Sequence, residues 1–90
     1  MNLLRTAQAG TLESSDVMVQ IQPESPNSGT IIEIQSIVQA QYGDQIEATV
    51  KKFLQQAKVT DLRVFIQDRG ALDYVLKSRL QTALFRASKE

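Results

Sequence analysis

The hydrophobic positions change period several times along the chain. From Asp16 to Gln22 they alternate, with Val17, Val19 and Ile21 on one side and Met18, Gln20 and Gln22 on the other. A period of two marks a strand with one buried face. Pro23-Glu24-Ser25-Pro26-Asn27-Ser28-Gly29 ends it with loop chemistry: two prolines and a glycine. A second strand is predicted over Thr30 to Ile37, with Ile32 and Ile34 sharing a face. Two strands joined by such a loop read as a hairpin with an irregular turn. The period then lengthens. Ile46, Val50, Phe53, Leu54 and Ala57 recur at spacings of three and four with Gln and Lys between them, the pattern of an amphipathic helix. Its start has two candidates, because Ser36 with Gln39 and Asp44 with Glu47 each fit a capping box. Val38, Tyr42 and Ile46 carry the stripe backwards and favour the earlier start. Gly43 then lies inside the helix at a cost of about 0.5–1 kcal/mol relative to alanine. Asp61 to Gln67 predicts a third strand, with Leu62, Val64 and Ile66 on one face and Arg63, Phe65 and Gln67 on the other. Asp68-Arg69-Gly70 reads as a turn. A last helix follows from about Ala71, with Leu72, Val75, Leu76, Leu80, Ala83 and Ala87 as its apolar stripe. Asp73 suits the positive end of that helix, and Ser88 to Glu90 should fray.

The order is ββαβα. The expected fold is α+β: a two-layer sandwich of a three-stranded sheet with two helices on one face. The second strand, the first helix and the third strand form a crossover, so those two strands run in the same direction. Placing the third strand beside the first gives the order 2-1-3 and an all-antiparallel sheet, the preferred arrangement. Placing it beside the second gives a mixed sheet. Residues 1–15 are small and polar without clear periodicity and read as a flexible arm, leaving residues 16–90 as a single domain.

Composition narrows the chemistry. Ninety residues with 42% apolar and 22% charged content suit one small globular domain. Ten basic and ten acidic residues cancel, so no strong field draws the chain to nucleic acid or anionic membranes. No segment approaches the roughly 20 apolar residues of a membrane span, and Met1 to Gln8 lacks the apolar core of a signal peptide. A cytoplasmic protein is the expectation. Cysteine is absent, which excludes disulfides and thiol catalysis. Histidine is absent too, which removes His-based triads, the usual zinc sites and the commonest base near neutral pH.

Few residues then remain as chemical candidates. Asp68, Arg69 and Asp73 cluster near one turn, and paired carboxylates can do acid–base work, but turn and cap formation accounts for them. The acids show no compelling metal-ligand spacing, and Gly10, Gly29, Gly43 and Gly70 are too dispersed for a phosphate loop. Tyr42 and Phe65 have the chemistry to stack on bases, yet without a basic stripe they read as packing residues. Gln41, Gln45, Gln55 and Gln56 offer either a partner surface or the solvated face of any surface helix. No catalytic residue and no metal ligand is assigned.

That leaves Ser14-Ser15-Asp16. Small polar residues are ordinary at a strand entry, where they bond to nearby backbone. A functional reading needs a hydroxyl that a separate enzyme can reach. Ser14 lies in the segment read as mobile, with Gly10 and Thr11 nearby and no bulky cover. A serine hydroxyl without an adjacent base is a weak nucleophile, and the chain has no histidine to activate it. Modification by a transferase that brings its own base is the consistent version. In an extended chain Ser14 and Ser15 would point to opposite sides, which would let such an enzyme tell them apart.

The segment Ala9-Gly10-Thr11-Leu12-Glu13-Ser14-Ser15-Asp16-Val17-Met18 closely resembles the modification segment of the citrate lyase acyl carrier proteins, the gamma subunits of that enzyme. Gly43-Asp44-Gln45-Ile46 and Gly70-Ala71-Leu72-Asp73 extend the resemblance along nearly the whole chain. The resemblance implies that Ser14 is the attachment site of a covalent arm, 2'-(5''-phosphoribosyl)-3'-dephospho-CoA, joined through a phosphodiester. It further implies a non-catalytic carrier of acetyl and citryl thioesters, with the alpha and beta subunits of citrate lyase and a prosthetic-group transferase as partners. The missing cysteine agrees, since the working thiol would belong to the arm. The four-helix pattern and Asp-Ser-Leu motif of fatty-acid carriers are absent. A carrier for malonate decarboxylase and an unmodified adaptor are the alternatives.

Overall fold

A computed structural model describes residues 2–89, with the backbone alone at residues 39–41. Its elements in chain order are β1 (Ala7–Gly10), β2 (Val17–Pro23), β3 (Thr30–Ser36), α1 (Gln39–Ala57), β4 (Leu62–Asp68) and α2 (Asp73–Ser88). The strands form one four-stranded sheet in the order β1-β2-β4-β3. β1 and β2 are antiparallel, as are β2 and β4, whereas β3 and β4 are parallel.

The alternating residues do what their period requires. Val17, Val19 and Ile21 of β2 and Leu62, Val64 and Ile66 of β4 are fully buried. They share a face with Ile32 and Ile34 of β3. The helices cover that face and touch each other: α2 lies against β1 and β2, and α1 against β3. Val50 and Leu54 of α1 join Leu76, Leu80, Ala83, Leu84 and Ala87 of α2 in the same core. Full burial of one such Val, Leu or Ile stabilises by about 1.5–3 kcal/mol. The sandwich of two helices on one face of a sheet therefore stands.

Three expectations need correction. The sheet has four strands, not three, because Ala7-Gln8-Ala9-Gly10 adds an edge strand within the segment read as a flexible arm. Ala9 is buried, Leu3 packs on the core, and Leu4 N–H and Arg5 N–H donate to Ala87 O at 2.8 and 3.2 Å. Arg86 reinforces the join by donating to Gln8 O at 2.9 Å. Second, β2 and β3 do not form a hairpin, and the order is not 2-1-3. β1 occupies one edge of β2 and β4 the other. β4 carries apolar residues inward and Phe65 outward, which suits a central strand, whereas β3 turns Glu33 and Gln35 outward at an edge. The third correction concerns helix phase. α2 begins at Asp73, leaving Leu72 outside it and 62% exposed, and Leu84, which was not part of the predicted stripe, takes a core position.

α1 adopts the earlier start, with Gly43 inside it. No side-chain cap bond closes its N-terminus. Ser36 Oγ instead accepts from Val38 N–H at 3.0 Å and donates to Asp68; the Gln39 side chain of the anticipated capping box lies outside the described residues. At the other end Lys58 adopts φ 57° and its N–H donates to Gln55 O, while Val59 N–H reaches Leu54 O. This left-handed close satisfies the last carbonyls of the helix.

Candidate functional site

Ser14 lies in the connection between β1 and β2, and three constraints shape that connection. The first is Gly10. Its φ of +97° is open chiefly to glycine, and a Cβ there would fall 1.8 Å from Val17 O. The strand can therefore approach β2 closely only because no side chain intervenes.

A tight turn supplies the second constraint. Asp16 N–H donates to Glu13 O at 3.1 Å, closing the four residues Glu13 to Asp16. Ser15, the third of them, has φ 66°, the left-handed value that a type II turn demands there. Ser15 N–H donates to Arg69 O and Arg69 N–H donates to Asp16 O, both at 2.9 Å. Two residues thus face one across the sheet, which is a β-bulge, and its first position is the left-handed one that glycine usually fills. Serine pays about 1 kcal/mol for that conformation. Ser14 stands at the second position of the turn, exposed, between a pinned Ser15 and an exposed Glu13.

The third constraint is ionic. Arg79 of α2 donates from Nε to Asp16 Oδ1 at 3.1 Å and from Nη2 to Oδ2 at 3.0 Å, a two-pronged pair. Thr11 Oγ1 donates to Oδ2 at 2.7 Å, and Val17 N–H to Oδ1 at 2.7 Å. Thr11 Oγ1 also accepts from Glu13 N–H at 3.2 Å. The carboxylate therefore joins both ends of the connection to α2. These bonds, Arg79 first and then Thr11 and Val17, hold the Asp16 carboxyl at about 2 against an ordinary 3.8. So stable an anion is a poor base. The partners of its side chain are Thr11, Val17 and Arg79, and Ser14 is not among them.

The expectation that Ser14 and Ser15 differ by pointing to opposite sides of an extended chain is replaced by this turn. They differ because the Ser15 backbone is tied to Arg69 while Ser14 occupies the corner. Thr11 and Arg79 were not singled out from the sequence. Arg79 is distant in the chain and interrupts no periodic pattern, so no local signal pointed to it.

The other candidates resolve into structural roles. Asp68 is buried; it accepts from Ser36 Oγ at 2.7 Å and from Ala71 N–H at 3.0 Å, while its carbonyl accepts from Ile37 N–H. It knits the ends of β3 and β4 to the approach to α2, satisfied as a buried carboxylate must be. Asp73 accepts from Lys77 at 3.0 Å and from Thr49 at 3.1 Å; chiefly through Lys77, these bonds lower its pKa. Gln45, Gln55 and Gln56 are exposed on α1; the Gln41 side chain lies outside the described residues. Among the described residues no group of three or more His, Cys, Asp or Glu is placed to hold a metal ion. No helix among them is long and apolar enough to cross a membrane.

Two clefts open at the end of the sheet where Ser14 stands. One, of about 260 Å³, is lined by Leu12, Gln35, Ser36, Ile37, Gln67, Asp68 and Arg69. The other, of about 360 Å³, lies between the starts of the helices, with Tyr42, Ile46 and Leu72 among its walls. Tyr42 and Phe65, the aromatic candidates, part company here: Tyr42 is half-exposed at that cleft, and Phe65 lies partly buried on the uncovered face of the sheet.

Comparison with known proteins places this geometry in context. The family model for acyl carrier proteins described as malonate decarboxylase delta subunit (MdcD) matches residues 4–87. A citrate lyase acyl carrier protein of Yersinia enterocolitica is 51% identical over 90 residues, spanning 100% of this chain and 92% of that one. One from Halothermothrix orenii is 46% identical over 89 residues, spanning 99% and 93%. The fold is similar to a chain in the crystal structure of a Pseudomonas malonate decarboxylase hetero-tetramer in complex with malonate. There the TM-score is 0.78 at 21% identity, over 92% of this chain and 84% of that one.

Proposed function

This chain belongs to the acyl carrier protein family that includes the citrate lyase carriers, and from that membership and the geometry of the Glu13–Asp16 turn we propose that it is the non-catalytic acyl carrier subunit of citrate lyase, modified at Ser14. The observation that carries the site is the turn itself: Ser14 is exposed at its corner, while Ser15 is fixed by Arg69 and Asp16 by Arg79. The group to be attached is 2'-(5''-phosphoribosyl)-3'-dephospho-CoA. Bound there, it supplies a terminal thiol that holds acetyl and citryl groups as thioesters while citrate is cleaved to acetate and oxaloacetate.

The chain's residues fit such a group in two respects. They offer an accessible hydroxyl, and they contain no cysteine, so the thiol has to come with the arm. Attachment would form a bond between Ser14 Oγ and phosphorus and break a phosphoanhydride of an activated donor, whose remaining phosphate portion leaves as the free anion. The hydroxyl proton leaves to a base of the transferase, since Asp16 is committed to Arg79. The alpha and beta subunits of the lyase are then reached by tethering, which turns each encounter into an intramolecular one at raised effective concentration. A cytoplasmic location follows from this role.

The alternative carrier role, in malonate decarboxylase, draws support from the description of the matching family model. The 46–51% identity to citrate lyase carriers over essentially the whole chain weighs for the citrate enzyme. Intact mass of the protein purified from its native host tests the proposal. The expected result is a single large covalent adduct on the wild-type chain and on Ser15→Ala, and none on Ser14→Ala. A wild-type chain without an adduct, from cells expressing the transferase, would overturn the carrier reading. An adduct persisting on Ser14→Ala would move the site to Ser15.

A further inference from the structure

Beside the Ser14 turn lies the smaller cleft, whose lining includes one basic and one acidic residue. Leu12 and Ile37 are exposed apolar walls, Gln35 and Gln67 supply amides, Arg69 is exposed, and the carboxylate of Asp68 is buried and already bonded to Ser36 Oγ and Ala71 N–H. The position of Arg69 is fixed more firmly than exposure alone would suggest. Its N–H and carbonyl are both bonded to the turn, through Asp16 O and Ser15 N–H. Its side chain is exposed and, among the described residues, forms no ion pair. The other arginine bonded to the turn, Arg79, is spent on Asp16. Arg69 is therefore an uncommitted cation anchored opposite the residues that follow Ser14.

We propose that this cleft seats the phosphate-bearing start of the covalent arm, with Arg69 as its phosphate-recognising residue. This rests on attachment at Ser14. Guanidinium presents a planar fork of donors suited to a phosphodiester or phosphomonoester oxygen pair. The sugar that follows finds Gln35 and Gln67 as hydrogen-bonding partners and Leu12 and Ile37 as walls. Seating the first segment directs the remainder of the arm away from the sheet end along a restricted set of paths. The carrier then presents its distal thiol with fewer conformations to search than a freely swinging chain. The contact is exposed, so it is weak and salt-sensitive.

The experiment compares unmodified and fully modified chains by NMR, with intact mass reporting attachment separately. Modification should shift the Arg69 Nε–H resonance and the methyl resonances of Leu12 and Ile37, and raised salt should diminish the shifts. Arg69→Gln leaves the backbone bonds to Ser15 and Asp16 in place. It should still accept the arm, yet lose the methyl shifts as the seated population falls about two- to five-fold. Arg69→Lys, which keeps the charge but not the fork, should fall between. A fully modified chain whose Arg69, Leu12 and Ile37 resonances match the unmodified ones would overturn the proposal. So would shifts confined to Tyr42 and Leu72, which would seat the arm in the larger cleft. Absence of the adduct would instead remove the attachment on which the proposal rests.

Discussion

Replacing Asp16 with asparagine removes the charge that ties the Ser14 turn to α2 while keeping the side chain's shape. The size of the effect follows from the bonds. A carboxyl held at about 2 against 3.8 favours its charged form by about 2.4 kcal/mol, at about 1.36 kcal/mol per pH unit. The Asp16 side chain is 15% exposed and that of Arg79 38%, so solvent screens part of the attraction. We therefore expect Asp16→Asn to cost about 1–2 kcal/mol at pH 7, or about 5–10 °C in Tm for a domain of this size. The sign of the pH dependence is fixed. The folded pKa is depressed, so the contribution is complete above about pH 4 and is lost as pH falls toward and through about 2. Urea unfolding of wild type and Asp16→Asn at pH 7, 4, 3 and 2 gives the difference curve. Asp73 also titrates below its ordinary value, but both chains carry it, so its contribution cancels. The stability gap should close as acid protonates Asp16 in the wild type. A gap that persists unchanged to pH 2, or one below about 0.5 kcal/mol at pH 7, would refute the reasoning.

Two further substitutions test the backbone of the same connection. Gly10→Ala sets a Cβ 1.8 Å from Val17 O at φ +97°, and neither backbone can yield without breaking the β1–β2 register. The variant should lose more than about 4 kcal/mol or fail to fold, as circular dichroism would show, and a wild-type Tm would contradict the close approach. Ser15→Gly should be at least as stable as wild type, because relief of the left-handed conformation offsets the greater freedom of an unfolded glycine. Ser15→Val should lose about 1–3 kcal/mol, as a β-branched residue at φ 66° must, and a Ser15→Val chain with wild-type urea stability would remove the bulge geometry.

Where side-chain period alone decides structure, the sequence was readable. Val17, Val19 and Ile21, and again Leu62, Val64 and Ile66, declare which face is buried, and all six are. The shared direction of β3 and β4 follows from the helix that joins them, although their pairing was not expected in the preferred order. Sheet order was not readable in the same way, because it depends on which edges are already taken. The strand that takes the outer edge of β2 is Ala7-Gln8-Ala9-Gly10, whose two alanines alternate too weakly to distinguish a strand from a polar arm. Missing β1 left β2 with a free edge, and β3 was assigned to it. Leu72 fits the stripe numerically, but its own extended backbone, with ψ 157°, makes it the residue that precedes the helix.

The site was legible in its chemistry and not in its geometry. The proposal of Ser14 rests on the resemblance, and the absence of cysteine and histidine only thins the competing groups. The presentation of Ser14 was not legible, because the parts that create it come from three places. Gly10 permits the approach, Arg69 pins the bulge, and Arg79 reaches from the middle of α2 to Asp16. That division gives the turn its character. Every bond that stabilises it falls on Thr11, Glu13, Ser15 or Asp16, and the Asp16 carboxylate is made a weaker base by the same bonds. Ser14 is therefore exposed at the corner of a fixed turn, and among the described residues no base is hydrogen-bonded to it. The proposed carrier role would use that combination, an exposed hydroxyl on a fixed turn whose modification would be decided by the transferase.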